Sequence, residues 1–178
     1  DLRRWQPQGV VLRFSDVSWI TDDGSGGYSA WAPCIAEKGG RYYFYFSVGP
    51  QRDRFPARIG VAVGDSPAGP FKDSGKPLLT GGNGFEAIDP MVYADPKSGT
   101  SYLYAGGSAG SKRRIFELPD DMVNLAREVP VETPRSFTEG AFAPGRHLLK
   151  TTLSHEAERR WGGLPLNQVC LFQMTNKK

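Results

Sequence analysis

The chain has 178 residues and a net charge of +3, with 39% hydrophobic and 23% charged residues, 22 glycines and 14 prolines. This length is enough for one domain with a real core, and the composition is typical of a folded, turn-rich protein rather than a disordered one. The small charge gives no reason to expect a nucleic-acid partner, and the absence of a long apolar run gives none to expect a membrane.

Strand-forming runs and turns recur along the chain in a fixed order. Segment 31–49 reads WAPCIAEKGGRYYFYFSVG and is followed by 58–71, RIGVAVGDSPAGPF. Segment 88–107 reads IDPMVYADPKSGTSYLYAGG, with a turn predicted at 96–99, and is followed by RRIFELPDDM. Each unit passes through a proline, a short strand, a glycine turn and a tyrosine-rich strand, and then a third strand opening with a basic residue and isoleucine. We predict that the tyrosine-rich run at 42–45 is strand core rather than a ligand-binding surface.

A third unit begins at 138–142, TEGAF, with 145–154 as its second strand. Pro33 and Pro90 are 57 residues apart, and Pro90 and Ala141 are 51 apart. Four-stranded antiparallel units repeated at this interval are typical of β-propeller blades, so we predict an all-β propeller fold. At roughly 54 residues per blade the chain holds about three blades, which is fewer than the four to eight of closed propellers.

The start of each repeat indicates where a site would form. The innermost strand of a blade runs along the central channel, so equivalent positions at these strand starts converge near the axis. The positions are Trp31-Ala32, Ile88-Asp89 and Thr138-Glu139. Asp89 taken alone reads as a loop residue that hydrogen-bonds its own turn. Two carboxylates at one phase of a repeat indicate instead that Asp89 and Glu139 face a shared cavity.

These segments, together with IGVAVGDSPAGPFKD, GKPLL and TEGAF, resemble glycoside hydrolase family 43. Its members are five-bladed propellers that remove arabinofuranose and xylose units from plant polysaccharides. DLRRWQPQGVVL at 1–12 is similar to the family's link between its first and second blades. The resemblance covers 1–142, and 143–178 departs from it as a divergent tail. We therefore expect one partial propeller domain over 1–178 that lacks the first blade and much of the last.

The resemblance implies a role for four residues. Glu139 corresponds to the general acid, and Asp89 to the carboxylate that orients this acid and tunes its pKa. Trp31 would form the floor of the subsite for the terminal sugar, and Ile88 would line it. Residues in these roles imply an inverting glycosidase, whose acid and base stand about 6.5 to 9.5 Å apart across the scissile bond. The alternatives are blade-core packing for Trp31 and a turn or capping carboxylate for Glu139.

The implied partner is an oligosaccharide that contains arabinose or xylose. We expect no cofactor, because carboxylates carry out this hydrolysis. We also expect no metal site, because Cys34 and Cys170 lie in unrelated contexts without metal-ligand spacing.

The family's general base has no counterpart in the sequence. It is an aspartate at the start of the first blade, upstream of anything that matches residue 1. Asp16, Asp22 and Asp23 precede Trp31, but none of them begins an inner strand, so they are poor replacements. Besides a glycosidase whose base comes from elsewhere, two alternatives therefore stay open: a sugar-binding module and an inactive or structural fragment. An open fan of blades also exposes sheet edges, so we predict a homodimer formed through them.

Overall fold

The computed structural model describes residues 5–107, 109–135, 137–141 and 168–174, and their regular structure is almost entirely β. The only helical pieces in these ranges are two 3-10 turns, at Phe14–Asp16 and Ala109–Ser111. The strands are β1 Trp5–Arg13, β2 Ser29–Lys38, β3 Arg41–Gly49, β4 Arg58–Gly64, β5 Lys72–Asp73, β6 Leu79–Thr80, β7 Met91–Ala94, β8 Ser101–Ala105, β9 Arg114–Leu118, β10 Arg127–Val129 and β11 Gln168–Met174. The all-β prediction is confirmed.

Two blades are described in this structure, and they are numbered here in the order of this chain, not of the complete family fold. The first blade is the antiparallel sheet built on β2, β3 and β4. Both β5 and β6 pair with β4, one near each end, so a broken strand fills the fourth position. The break spans 74–78. In this stretch Gly75 has a φ of 92°, and Pro77 has no N–H to give to a sheet.

The second blade is the antiparallel sheet β7–β8–β9–β10, in that order from the inner strand outward. The turn predicted at 96–99 joins β7 to β8. Asp95 holds this turn, because its carboxylate accepts the Lys97 N–H at 3.0 Å and the Ser98 hydroxyl at 2.7 Å. The prediction of four-stranded antiparallel blades is confirmed here.

Strand β3 is buried on both faces, which explains its unbroken apolar sequence. Tyr43 and Tyr45 point into a core between the two blades, where they join Leu103 and Phe116 of the second blade. The Tyr45 hydroxyl donates to the Met122 carbonyl at 2.7 Å. Core packing of the tyrosine-rich run is thereby confirmed.

The other face of β3 packs against the segment that follows β1. Phe44 and Phe46 contact a second core that includes Phe14 and Trp19. Arg58 fastens this segment to β4, since its guanidinium donates to the carbonyls of residues 19 and 20 and stacks on the Trp19 ring. The first blade is thus held between two cores.

Strand β1 pairs antiparallel with β11, with residue 5 opposite 174 and residue 13 opposite 168. The predicted strand at 145–154 lies outside the described residues, as do 142–167 and 175–178. The count of about three blades and the domain boundary at 142 therefore stay predictions. In the described part of the chain, no helix has the length and apolar character needed to cross a membrane.

Candidate functional site

A left-handed backbone residue marks the start of each repeat. Ala32 has a φ of 42° and Asp89 a φ of 51°, and each precedes a proline. Gly140 has a φ of 66° at the corresponding point of the third repeat. The three residues are separated by 57 and 51 residues, the same spacings as in the sequence repeat. Non-glycine residues rarely adopt such a φ, so surrounding contacts must hold Asp89 in this conformation.

This alignment corrects the predicted phase of Glu139. Alignment of the repeats in the sequence gave Glu139 the same repeat position as Asp89. The left-handed backbone conformation of Asp89 recurs at Gly140 instead. Glu139 is therefore equivalent to Trp31 and Ile88, the residues that precede the left-handed position. The offset came from pairing the two carboxylates, although the spacing of 51 residues from Pro90 to Ala141 already places Gly140 level with Asp89.

Trp31 and Ile88 hold equivalent places in their blades. Each side chain lies against a glycine: Trp31 against Gly49, the last residue of β3, and Ile88 against Gly107, two residues after β8. A Cβ at either glycine would collide with the side chain above it. Ile88 is 3% exposed, whereas Trp31 is only partly buried. Ile88 thus forms a packed wall, and Trp31 keeps part of its ring accessible.

Ser47 positions the backbone at Asp89, and sequence reasoning missed it. Its side chain is fully buried on β3, and its Oγ accepts the Asp89 N–H at 3.1 Å. The Ile88 carbonyl in turn accepts the Gly106 N–H at 3.0 Å. Ser47 thus links the first blade to the start of the second. The only sequence signal was a polar residue at the end of an aromatic run.

Asp89 lies within electrostatic reach of Glu139. Burial, followed by the charge of Glu139, raises the pKa of Asp89 to about 6. The Gly140 N–H donates to Asp89 and opposes this rise, while Glu86 adds to it. Glu139 itself is exposed. The site thus pairs one half-buried, backbone-anchored carboxylate with one that is free to meet solvent or a ligand.

The three other aspartates considered from sequence lie elsewhere. Arg58 forms ion pairs with Asp22 at 2.5 Å and with Asp23 at 3.1 Å, so both carboxylates are committed to holding their loop. Asp16 is exposed and accepts a bond from the Ser15 hydroxyl. None of these contacts brings an aspartate to Asp89.

Gln51 and Glu86 form a further polar pair that sequence reasoning did not find. The Gln51 amide donates to the Glu86 carboxylate at 3.2 Å. Across the described ranges, no group of three His, Cys, Asp or Glu side chains is arranged to hold a metal ion.

The sequence profile of the Glycosyl hydrolases family 43 matches residues 1–152. The chain belongs to this family. The match runs ten residues beyond the boundary that we predicted from motifs at residue 142, into the segment outside the described residues.

Curated relatives agree with this assignment. The chain is 36% identical over 145 residues to xylosidase/arabinosidase 43A of Humicola insolens, a match covering 81% of this chain and 39% of that protein. It is 39% identical over 108 residues to a xylosidase/arabinosidase of Bacteroides ovatus, covering 61% of this chain and 29% of that one. The chain therefore spans less than half the length of these relatives.

Solved structures of family 43 enzymes share the fold. One is a β-xylosidase/α-arabinofuranosidase from a compost microbial metagenome in complex with xylotriose, which superposes with a TM-score of 0.54 at 34% identity, covering 67% of this chain and 41% of that one. Another is an enzyme of Xanthomonas citri complexed with xylose, with a TM-score of 0.54 at 33% identity and coverages of 68% and 41%. The partial propeller prediction is confirmed.

Proposed function

We propose that this chain forms part of an inverting glycosidase that acts on arabinofuranosyl or xylosyl units of plant hemicellulose. Glu139 is the general acid, and Asp89 is the carboxylate that orients it. The observation that carries the proposal is the half-buried Asp89 carboxylate, which lies against Gly140, the residue after Glu139, and whose pKa the charge of Glu139 helps to raise. The names of the family relatives, which are xylosidases and arabinosidases, support the substrate class.

The contacts of Asp89 explain how it would orient the acid. Because Asp89 binds the N–H of Gly140, it fixes the peptide that directly follows Glu139. Ser47 restrains the backbone of Asp89 itself, because the Ser47 Oγ accepts the Asp89 N–H. The exposed Glu139 carboxyl is then carried on a restrained backbone, and positioning of this kind is what general acid catalysis requires.

Trp31 and Ile88 would hold the terminal sugar. The partly accessible indole of Trp31 offers a flat apolar face to a sugar ring. Ile88 closes the neighbouring wall against Gly107. Both residues occupy the same repeat position as Glu139, so the subsite and the acid would lie at equivalent places around one axis.

The general base would come from sequence outside 1–178 or from a second chain. Asp22 and Asp23 are tied to Arg58, and abstracting a proton from water would require one of them to leave this pair. Because both aspartates are paired with Arg58, neither is available as a base. This favours a second candidate function, a saccharide-binding module that keeps the sugar subsite but does not hydrolyse its ligand.

Leaving-group kinetics test the role of Glu139. In a preparation of this chain that hydrolyses aryl arabinofuranosides or xylosides, Glu139→Gln should lower the rate about 10² to 10⁴-fold for substrates with poor leaving groups. The loss should be far smaller for nitrophenyl glycosides, because their departing oxygen needs no proton. Glu132→Gln removes an exposed carboxylate on the same segment and should change neither rate.

Two outcomes would contradict the proposal. Equal losses on good and poor leaving groups would assign Glu139 a structural role. Calorimetric binding of xylobiose without any turnover, even when the missing part of the propeller is supplied, would support the binding module instead.

A further inference from the structure

A cavity of about 360 Å³ lies between the glycine–serine loop 25–29 and the loop 50–55 of the first blade. Its volume falls within the range of roughly 300 to 1,000 Å³ that is usual for small-molecule pockets. The roles proposed above for Asp89, Glu139, Trp31 and Ile88 do not use it.

The cavity adjoins the proposed sugar subsite. Ser29, in its wall, is paired with Gly49, and the Trp31 ring lies against that same glycine. Gly49 leads directly into Pro50, the first residue of the other wall. Trp31 thus lies beside the wall of the cavity.

A second connection runs through the loop 50–55. The Gln51 amide bonds to Glu86, and the charge of Glu86 acts on Asp89. A ligand in contact with Trp31 and Asp89 would therefore extend naturally into this cavity. For an enzyme that holds a terminal sugar at Asp89, the next sugar of the chain belongs there.

The lining is suited to a saccharide. Ser25 and Ser29 contribute hydroxyls, and Tyr28 and Phe55 contribute rings. Open space surrounds the Cα of Gly26, so backbone polar groups are accessible on that side. Aromatic rings combined with a few placed polar groups are the usual composition of such sites.

Arg52 adds a positive charge to this lining. Its backbone is fixed by two hydrogen bonds with Phe55, at 3.0 and 2.8 Å. Arg58, Arg114 and Arg127 each form an ion pair with a carboxylate at 3.1 Å or less, but within the described ranges Arg52 forms none. Its planar guanidinium is well suited to binding a carboxylate through two hydrogen bonds.

We propose that this cavity binds a sugar that carries a carboxylate, a uronic acid unit next to the sugar held at Asp89, and that Arg52 pairs with its carboxylate. The proposal rests on the glycosidase function above and adds a preference for acidic over neutral saccharides. The hydroxyls of Ser25 and Ser29 bind the sugar hydroxyls, and Tyr28 and Phe55 pack against its ring.

Calorimetric titration with matched ligands tests this preference. Neutral xylobiose and a disaccharide in which the terminal xylose is linked to glucuronic acid are titrated into the chain, with acetate as the carboxylate alone. The acidic disaccharide should bind about fivefold more tightly, as expected for one largely exposed ion pair. Arg52→Gln should abolish this difference and leave the affinity for neutral xylobiose unchanged.

Arg41→Gln is the matched control. It removes the same charge at the opposite end of β3, where Arg41 lies 3.9 Å from Asp65, and it should preserve the preference. Backbone amide shifts at 25–29 in NMR spectra should respond to the acidic disaccharide and not to acetate at the same concentration.

The outcomes separate this inference from the proposed function. Equal affinities for both disaccharides, or a preference that survives Arg52→Gln, would overturn the inference and leave the glycosidase proposal standing. Acetate alone producing the same shifts would reduce the cavity to a general anion site and would also overturn it. Failure of both disaccharides to bind would overturn the inference and the proposed function together.

Discussion

Asp89 combines three features that each cost free energy. Its backbone is left-handed, its carboxylate is half-buried, and a second carboxylate lies beside it. Strained or electrostatically frustrated residues persist where surrounding contacts hold them, and they are concentrated at functional sites. Ser47 and Gly140 supply those contacts at Asp89. The residue is thus held where its side chain can act on Glu139.

The raised pKa of Asp89 predicts a pH-dependent stability. Folding raises this pKa from 3.8 to about 6, so between these values the folded protein keeps a proton that the unfolded chain releases. The free energy of unfolding therefore falls as the pH rises through this window. Asp89→Asn has no such proton, so its melting temperature should rise relative to that of the wild type between about pH 5 and pH 7 and level off above that.

Asp95→Asn is the control for this prediction. Hydrogen bonds from Lys97 and Ser98 lower the pKa of Asp95, so the stability it contributes is lost only as the pH falls below the ordinary range of an aspartate. The difference between wild type and Asp95→Asn should stay constant from about pH 5 to pH 8. A constant difference for Asp89→Asn as well, measured by thermal melts, would contradict the pKa assignment.

Sequence alone predicted some of these residues and not others. Asp89, Ile88 and Trp31 became candidates because each lies one or two residues before a proline that recurs at a fixed interval. Ser47 was missed because its role is to bind the backbone of another blade, and no local pattern reveals such a contact. Glu139 was predicted level with Asp89, but the left-handed position of the third repeat is held by Gly140, so Glu139 lies one position earlier.

At the scale of single elements, β3 joins the two cores of the structure. Tyr43 and Tyr45 face the second blade, whereas Phe44 and Phe46 face the segment after β1. Alternation of side chains along a strand made this two-sided burial predictable from the apolar run. The broken fourth strand of the first blade was not predicted, because β5 and β6 are each too short to produce a periodic pattern.

Removing the Tyr45 hydroxyl tests the contact between the blades. Tyr45→Phe leaves the carbonyl of Met122 without this donor in a core where Met122 is 1% exposed. We expect the free energy of unfolding to fall by about 1 to 3 kcal/mol, the cost of an unsatisfied buried polar group. Chemical denaturation measures it.

Tyr43→Phe is the matched control, since Tyr43 lies on the same face of β3 and is similarly buried. It should change stability by no more than about 0.5 kcal/mol, since no hydroxyl contact holds this side chain to the second blade in the described structure. Equal effects of the two substitutions would mean that the Tyr45 hydroxyl does not bridge the blades.

At the scale of the whole molecule, the described blades form part of a ring. The chain covers 41% of two solved family structures, so a complete propeller requires more blades than the described residues form. Exposed strand edges favour pairing with another chain. Val131, just beyond β10, is 42% exposed and adds an apolar contact at the outer edge of the second blade.

We therefore predict self-association of the isolated chain, as a two-fold dimer through its blade edges. Sedimentation at micromolar concentration should show a species of twice the chain mass. Val131→Lys places a charge beside the β10 edge and should weaken a dimer formed there. A well-behaved wild-type monomer at that concentration would refute the prediction.

The central claim is that Asp89, Glu139, Trp31 and Ile88 form one saccharide site. A crystal structure of the chain with xylobiose tests it most directly. We expect a terminal sugar ring packed on Trp31 and bounded by Ile88, with the Glu139 carboxyl facing the glycosidic oxygen and Asp89 bonded to the Gly140 N–H. Carboxyl groups of Asp89 and Glu139 more than about 12 Å apart, well beyond the range of cooperating pairs, or a sugar bound away from Trp31, would contradict it.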